Sequence, residues 1–226
     1  MGQFEPIVRL RSDAALPSEA ARINRLLDTL PPDEFSQLAP HFRAVPLKRG
    51  AVLYQQGEDT EAVYFPHSGL ISVLAIMPEG KMVETMTVGR DGAIGLTTGI
   101  GSLKALNFTI IRVPGWATKI PASRWSEVVK QSQALQHLIV RYNDTQASQL
   151  QQTVACRTLH NVEARLCRWL LEARDRVGSE KLPLTQQLLA DALGVHRITV
   201  TLVAESDALR TGFRRKPDSV PMIADS

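Results

Sequence analysis

Cysteine is almost absent from the chain: Cys156 and Cys167 are the two it holds among 226 residues. No Cys-x-x-Cys, His-x-x-x-His or Cys/His cluster occurs, so the ligand spacing of a zinc or iron–sulfur centre is missing. Both cysteines fall within apolar helical spacing and read as buried free thiols of a reducing compartment. Long apolar runs are missing as well. None approaches the roughly 20 residues that span a bilayer. The start Met-Gly-Gln-Phe-Glu-Pro also lacks the basic-then-apolar pattern of a secretory signal. A cytoplasmic protein without a membrane partner is expected. There is no glycine-rich phosphate loop of nucleotide hydrolases and no nucleophile–base–orienter set, which argues against an enzyme and leaves no cofactor to predict. A strong excess of one charge is absent too, since the net charge is only +3. The balance is uneven, however. Basic residues outnumber acidic ones from Arg141 onward, and Arg210, Arg214, Arg215 and Lys216 crowd the end. A solvated surface accounts for that pattern, and so does a polyanionic partner.

What is present divides the chain by texture. Residues 1–18 carry no period and are expected to form a flexible tail. Glu19 to Leu30 reads as one amphipathic helix, with Ser18 as N-cap and Pro31-Pro32 as its stop. Between Val45 and Ile120, runs such as Val52–Tyr54, Ala62–Phe65, Leu70–Ile76, Val83–Val88 and Asn107–Val113 alternate with Gly-, Pro- and Asp-containing turns. That spacing predicts an antiparallel barrel or roll over residues 19–120. From Pro121 the period becomes helical, with Ser123 as a plausible cap, and neither glycine nor proline recurs until Gly178. Val128, Leu135 and Tyr142 fall seven apart, and Ser132, Ile139 and Gln146 take the alternate position. The pattern is an imperfect seam, which points to a dimerisation helix over residues 121–156. A helix lying across the sheet is the alternative. A further helix, Asn161 to Val177, sets Val162, Leu166, Trp169 and Leu170 on one face and ends at Gly178.

The stretch from Leu184 to Thr201 carries the strongest chemistry. Thr185 can cap a helix over Gln186–Leu193 whose apolar face is Leu188, Leu189, Ala192 and Leu193. Gly194 then permits a tight turn into a second helix from about His196, which buries Val200 and Val203. His196, Arg197, Thr199 and Thr201 are left at the exposed N-terminal end. A helix presented in that way enters a DNA major groove. Arginine can fork onto guanine O6 and N7, and short polar groups can hold phosphates. An ordinary helical hairpin packed into a core fits the same spacing.

The combination of these features resembles Crp/Fnr-type transcription regulators. The resemblance rests on Leu53-Tyr54-Gln55-Gln56-Gly57-Glu58, Val63-Tyr64-Phe65-Pro66, Gly69-Leu70-Ile71-Ser72-Val73 and Gly89-Arg90-Asp91-Gly92-Ala93-Ile94-Gly95, followed in order by the long helix and Leu184–Thr201. It covers roughly residues 19–205. It implies an α+β fold: an N-terminal antiparallel β-roll, a long dimerisation helix and a C-terminal helix-turn-helix domain over residues 157–226. The implied protein is a homodimer on a palindromic operator in double-stranded DNA, with RNA polymerase a candidate further partner. By the same resemblance Gln186, Gln187, His196 and Thr199 match phosphate-touching positions, and Arg197 matches the arginine that reads a base. Ile198 and Leu202 replace a glutamate and a second arginine of the best-known members, so a different half-site is expected.

The effector pocket implied by the family falls on Gly92, Ile94, Gly95, Leu96 and Lys104. Cyclic-nucleotide binders of the family carry a glutamate after the Ile-Gly pair and an arginine further on. Here Leu96 and the Lys104–Asn107 region stand in their place. A buried phosphodiester without a facing guanidinium is poorly compensated, so cyclic AMP is not the expected effector, whose identity stays open. After Glu205 the sequence departs from the family: Asp207 falls near an expected core position, and no alternating strand pair follows Arg214-Arg215-Lys216-Pro217. An atypical or missing wing is expected there. The second functional reading is accordingly a sensor or scaffold of the same fold with lost or weakened DNA binding.

Overall fold

The computed structural model describes residues 14–15, 18–80, 82–101 and 103–205. The expected wing and the basic end therefore lie outside the described residues. The strand-rich region builds two four-stranded antiparallel sheets, in the orders β1-β2-β8-β4 and β3-β7-β5-β6. The strands are β1 (Ala14–Ala15), β2 (Arg43–Leu47), β3 (Val52–Tyr54), β4 (Ala62–Pro66), β5 (Leu70–Ile76), β6 (Met82–Val88), β7 (Phe108–Val113) and β8 (Gly115–Pro121). β2 and β8, which pair along their length, carry little alternation and were not among the expected runs. The pair β1–β2 also takes Ala14 and Ala15 out of the expected tail; residues 1–13 lie outside the described residues.

Strand β7 shows why the chain folds this way. Thr109, Ile111 and Val113 are buried while their neighbours are half-buried, the period-2 signature of a strand with one covered face. β5 is different, with Leu70 through Leu74 all buried. Ile71 and Val73 pack inside the roll with Tyr54, Val88 and Ile111. Leu70 packs with Leu166, Leu189 and Val200 of the C-terminal helices. A strand covered on both faces reads as a near-continuous apolar run, as Leu70–Leu74 does apart from the buried Ser72.

Eight α-helices and two 3-10 turns (Ala39–His41 and Leu96–Gly99) complete the described residues, the α-helices being α1 (Ser18–Ala21), α2 (Arg25–Asp28), α3 (Pro32–Leu38), α4 (Ala122–Gln131), α5 (Gln133–Leu159), α6 (Val162–Val177), α7 (Gln186–Leu193) and α8 (Arg197–Glu205). Two single-helix expectations are corrected here, both by a side chain that caps. The helix expected over Glu19–Leu30 is split, because Asn24 turns out of it. Its fully buried amide accepts from Leu26 and Leu27 N–H at 3.0 Å each, and donates to Pro66 O at 2.7 Å and Gly92 O at 2.9 Å. The helix expected over residues 121–156 breaks at Ser132, which is extended and accepts from Leu135 N–H at 3.2 Å while donating to Glu34 Oε1 at 2.8 Å. Pro121, not Ser123, stands at the N-cap of α4.

The break redirects the helix surface. Val128, Leu135 and Ile139 are buried in the chain's own core with Phe35, Phe65 and Trp125, and Tyr142 packs against them. The expected seam is therefore used within one chain. The apolar stripe faces the roll and the helices beside it. The outward side of α5 instead carries Val140 and Val154, 48% and 64% exposed.

Asn24 offers a direct check on this architecture. Asn24→Ala would leave two helix N–H groups and two carbonyls without their partner in a dry site. A cost of about 2–4 kcal/mol is expected, read as a lowered midpoint in urea unfolding with unchanged slope.

Candidate nucleic-acid interface

Helices α7 and α8 are joined by the turn that the sequence placed at Gly194. Thr185 caps α7, its hydroxyl accepting from Leu188 N–H at 3.2 Å. Gly194 has φ +67°, with N–H bonds from Gly194 to Asp191 O and from Val195 to Ala190 O. That is a Schellman ending, in which a left-handed residue closes the helix and releases the chain in a new direction. A Cβ at Gly194 would meet nothing within 4 Å, so glycine is favoured there by backbone conformation and not by crowding. Val200 is fully buried against α7 and α6, which fixes the roll of α8 about its axis.

The remaining face of α8 is open. His196, Arg197 and Ile198 are exposed, Thr199 and Thr201 half-buried. Gln186 gathers two of the expected residues: its Oε1 accepts from Arg197 Nε at 3.2 Å and from Thr201 Oγ1 at 3.0 Å. Gln187 donates to Asp191 at 2.8 Å, so Asp191 is occupied by Gln187. The structure thus brings Thr185, Gln186, Arg197 and Thr201 to one end of the helix pair, with Gln187, His196 and Thr199 beside them. Ile198 and Leu202, 73% and 64% exposed, continue the same surface.

Beneath this surface the helix pair is docked on the roll by residues that sequence reasoning missed. Arg157 donates to Glu84 O at 2.6 Å and to Ala192 O at 3.0 Å, and Arg165 donates to Leu193 O, so two guanidiniums serve the carbonyl end of α7. Trp169 Nε1 donates to Glu84 Oε1 at 2.6 Å, and Ser72 donates to the other carboxylate oxygen. Arg176 is buried, and it donates to Thr87 Oγ1 at 2.6 Å, Gln149 Oε1 at 2.8 Å and Glu172 Oε2 at 3.1 Å, with Asp91 at 3.4 Å. A charged residue inside a helix of mixed pattern gave no sequence signal of this role. The Gly89–Gly92 turn closes the junction. A Cβ on Gly89 would lie 2.5 Å from Arg176 Cβ, and one on Gly92 2.3 Å from the Tyr142 hydroxyl.

The expected effector residues surround a cavity of about 180 Å³ inside the roll. Ile94, Gly95, Leu96 and Lys104 line it, together with Tyr142 and Gln146 from α5. Gly92 stands behind it, against Tyr142. Lys104 is ion-paired with Asp59 at 2.8 Å, and the lining described contains no arginine. Gln146 Oε1 is buried there with no hydrogen-bond partner. Of the two cysteines, Cys156 is buried and Cys167 only partly so. Among the described residues no group of His, Cys, Asp and Glu could hold a metal, and no helix is long and apolar enough to cross a membrane.

Residues 164–206 match the Crp-like helix-turn-helix domain. The chain carries that domain. No curated relative matches the sequence. Among solved structures, the c-di-GMP-responsive global regulator CLP of Xanthomonas campestris is 14% identical, with 80% of this chain and 93% of that one covered and a TM-score of 0.61. FixK2 of Bradyrhizobium japonicum is 14% identical over 76% and 85% of the two chains, with a TM-score of 0.65. A CRP/FNR-family transcriptional regulator of Thermus thermophilus is 20% identical over 76% and 88%, with a TM-score of 0.58. At these identities the likeness is one of fold: the Crp-like helix-turn-helix here sits on the α+β architecture of Crp/Fnr-type regulators, behind a cyclic-nucleotide-binding-like roll.

The docking of this domain has a pH signature. Burial raises the Glu84 carboxyl above its ordinary range, against the opposing pull of Ser72, Trp169, Arg112 and Arg157. The folded state thus holds the proton more tightly than the unfolded chain. The contribution is full below the ordinary carboxylate pKa and is lost as pH rises through the raised value. His67, held near 4 by burial, acts oppositely: its contribution is present above about 6.5 and lost as pH falls towards 4. Glu84→Gln should remove only the first trend, so urea midpoints of wild type and variant should converge in acid and separate towards neutral pH, with the variant the more stable.

Proposed function

We propose that the protein is a homodimeric, sequence-specific DNA-binding transcription regulator whose effector is not cyclic AMP. The observation that carries this reading is the exposed N-terminal end of α8, with Arg197 held by Gln186 on a helix whose rotation about its axis is fixed by the buried Val200. Arg197 is the base reader. Its guanidinium keeps four N–H groups free of Gln186 for a bidentate contact with guanine. Thr185, Gln186, Gln187, His196, Thr199 and Thr201 surround it with groups that suit phosphate oxygens, which position the helix without selecting a base.

Dimerisation is assigned to the outward face of α5. His137, Val140, Asp144, Ala147, Gln151, Val154 and Thr158 recur at three- and four-residue steps, and all are exposed. That is the spacing of a two-helix seam. A second copy there would relate two α8 helices by a two-fold axis, as a palindromic operator requires. RNA polymerase is a candidate further partner, and the cytoplasm the fitting location.

The effector reading rests on the chemistry of the 180 Å³ cavity. Its lining presents an unpartnered acceptor, Gln146 Oε1, and a lysine already paired with Asp59. A buried cyclic phosphate would find no guanidinium fork. Calorimetry with near-millimolar cyclic AMP is expected to show no saturable heat; micromolar affinity would reverse this reading.

Arg197→Ala is expected to cost about 1–3 kcal/mol on the preferred operator and to flatten selection at one base pair of each half-site. Thr199→Ala should weaken all duplexes alike. Site selection on wild type and both variants tests the assignment, and identical base preferences for wild type and Arg197→Ala would show that Arg197 does not read DNA. A wild type that retains no duplex even at low salt would favour the sensor or scaffold reading. For the seam, Val140→Asp with Val154→Asp should give monomers in sedimentation, whereas the dimer mass should survive if α5 is not the interface.

A further inference from the structure

Among the described residues, two side chains on the open face of α8 have no core to pack into and no polar group for a phosphate. Ile198 and Leu202 lie one helical turn apart, 73% and 64% exposed, with no donor or acceptor to offer. They share their surface with Arg197 and Thr201, which Gln186 gathers from the first helix. Val200, between them in sequence, is fully buried and prevents the helix from rolling to cover them.

In the major groove the apolar group on offer is the C5 methyl of thymine. We propose that Ile198 and Leu202 read thymine methyl groups, so that each half-site places thymines beside the base read by Arg197. This inference rests on the DNA-binding reading above and names what that surface selects. The same side chains also select against G·C pairs. Pressed onto guanine O6 and N7 or cytosine N4, they would strip water from polar edges and return no hydrogen bond. Positions 198 and 202 are about 6 Å apart along the helix, at 1.5 Å per residue. Base pairs stack at about 3.4 Å, so the two methyl groups belong to thymines roughly two steps apart when α8 follows the groove.

The test removes single methyl groups. The probe is a duplex carrying the operator selected by the wild-type protein, with each thymine of the half-site replaced in turn by uracil. Two positions, about two steps apart, are expected to lose roughly fourfold in affinity each, the value of one buried methyl. Ile198→Ala should abolish the uracil penalty at one of them and Leu202→Ala at the other, while Arg197→Ala leaves both penalties in place. Replacing thymine by 5-methylcytosine, with guanine opposite, should retain more affinity than unmethylated cytosine in wild type and not in the alanine variants. Both residues are exposed, so the variants should keep the wild-type unfolding midpoint.

Uracil tolerated throughout the half-site would overturn the proposal, as would penalties that persist in both alanine variants. Variants that change self-association or stability while the uracil penalties persist would assign the stripe to another part of the chain or to a second copy, and would equally overturn it. Loss of all duplex binding by the wild type itself is a separate result: it removes the DNA-binding reading and this inference with it.

Discussion

The orientation of the C-terminal helices depends on buried polar contacts between strand β6 and helix α6. Arg176 is almost dry, and its guanidinium is satisfied by Thr87 from the roll, Gln149 from α5 and Glu172 from α6. A buried guanidinium is tolerated only when its donors are met. The three elements are therefore held at one mutual geometry, and displacing β6 or α5 leaves buried guanidinium N–H groups without an acceptor. Glu84 makes a second fastening a few residues earlier on β6, through Trp169 and the Arg157 bond to its carbonyl. Polar docking of this kind is worth little as net stability and much as orientation. Its use here is to set the angle at which α7 and α8 leave the roll.

The cavity in the roll lies close to that contact. Tyr142 and Gln146 line it from α5, and Gln149 follows one turn later to meet Arg176. The Gly89–Gly92 turn touches both sides, with Arg176 against Gly89 and Tyr142 against Gly92. A ligand that shifted α5 by a fraction of an ångström would disturb bonds that α6 depends on. Packing and hydrogen bonds are contiguous from the cavity lining through α5 to α6.

The helix pair shows how one residue does several tasks by geometry. Gln186 lies in the first turn of α7, yet its carbonyl oxygen receives both Arg197 and Thr201 of α8. It fixes the exposed arginine from within the chain. The Schellman ending at Gly194 makes this meeting possible, because it aims α8 back across α7. Ile198 and Leu202 stand exposed on the same helix.

Much of this was legible in the residues alone. Turn signals between short β-branched runs announced the antiparallel roll, and Gly194 after an apolar helix announced the helix-turn-helix, because both depend on local backbone preference. What the sequence could not decide was direction. The seven-residue spacing of Val128, Leu135 and Tyr142 is the same whether the stripe meets a second helix or the roll. Ser132 settles it by capping a new helix and turning that stripe inward. Asn24 divides the first helix because Pro66 and Gly92, distant in sequence, offer carbonyls to its amide. Arg176 and Glu84 look like surface charges on a helix and a strand, and become the junction only when β6, α5 and α6 converge. Periodicity records which side chains avoid water; only the tertiary structure decides which neighbour shields them.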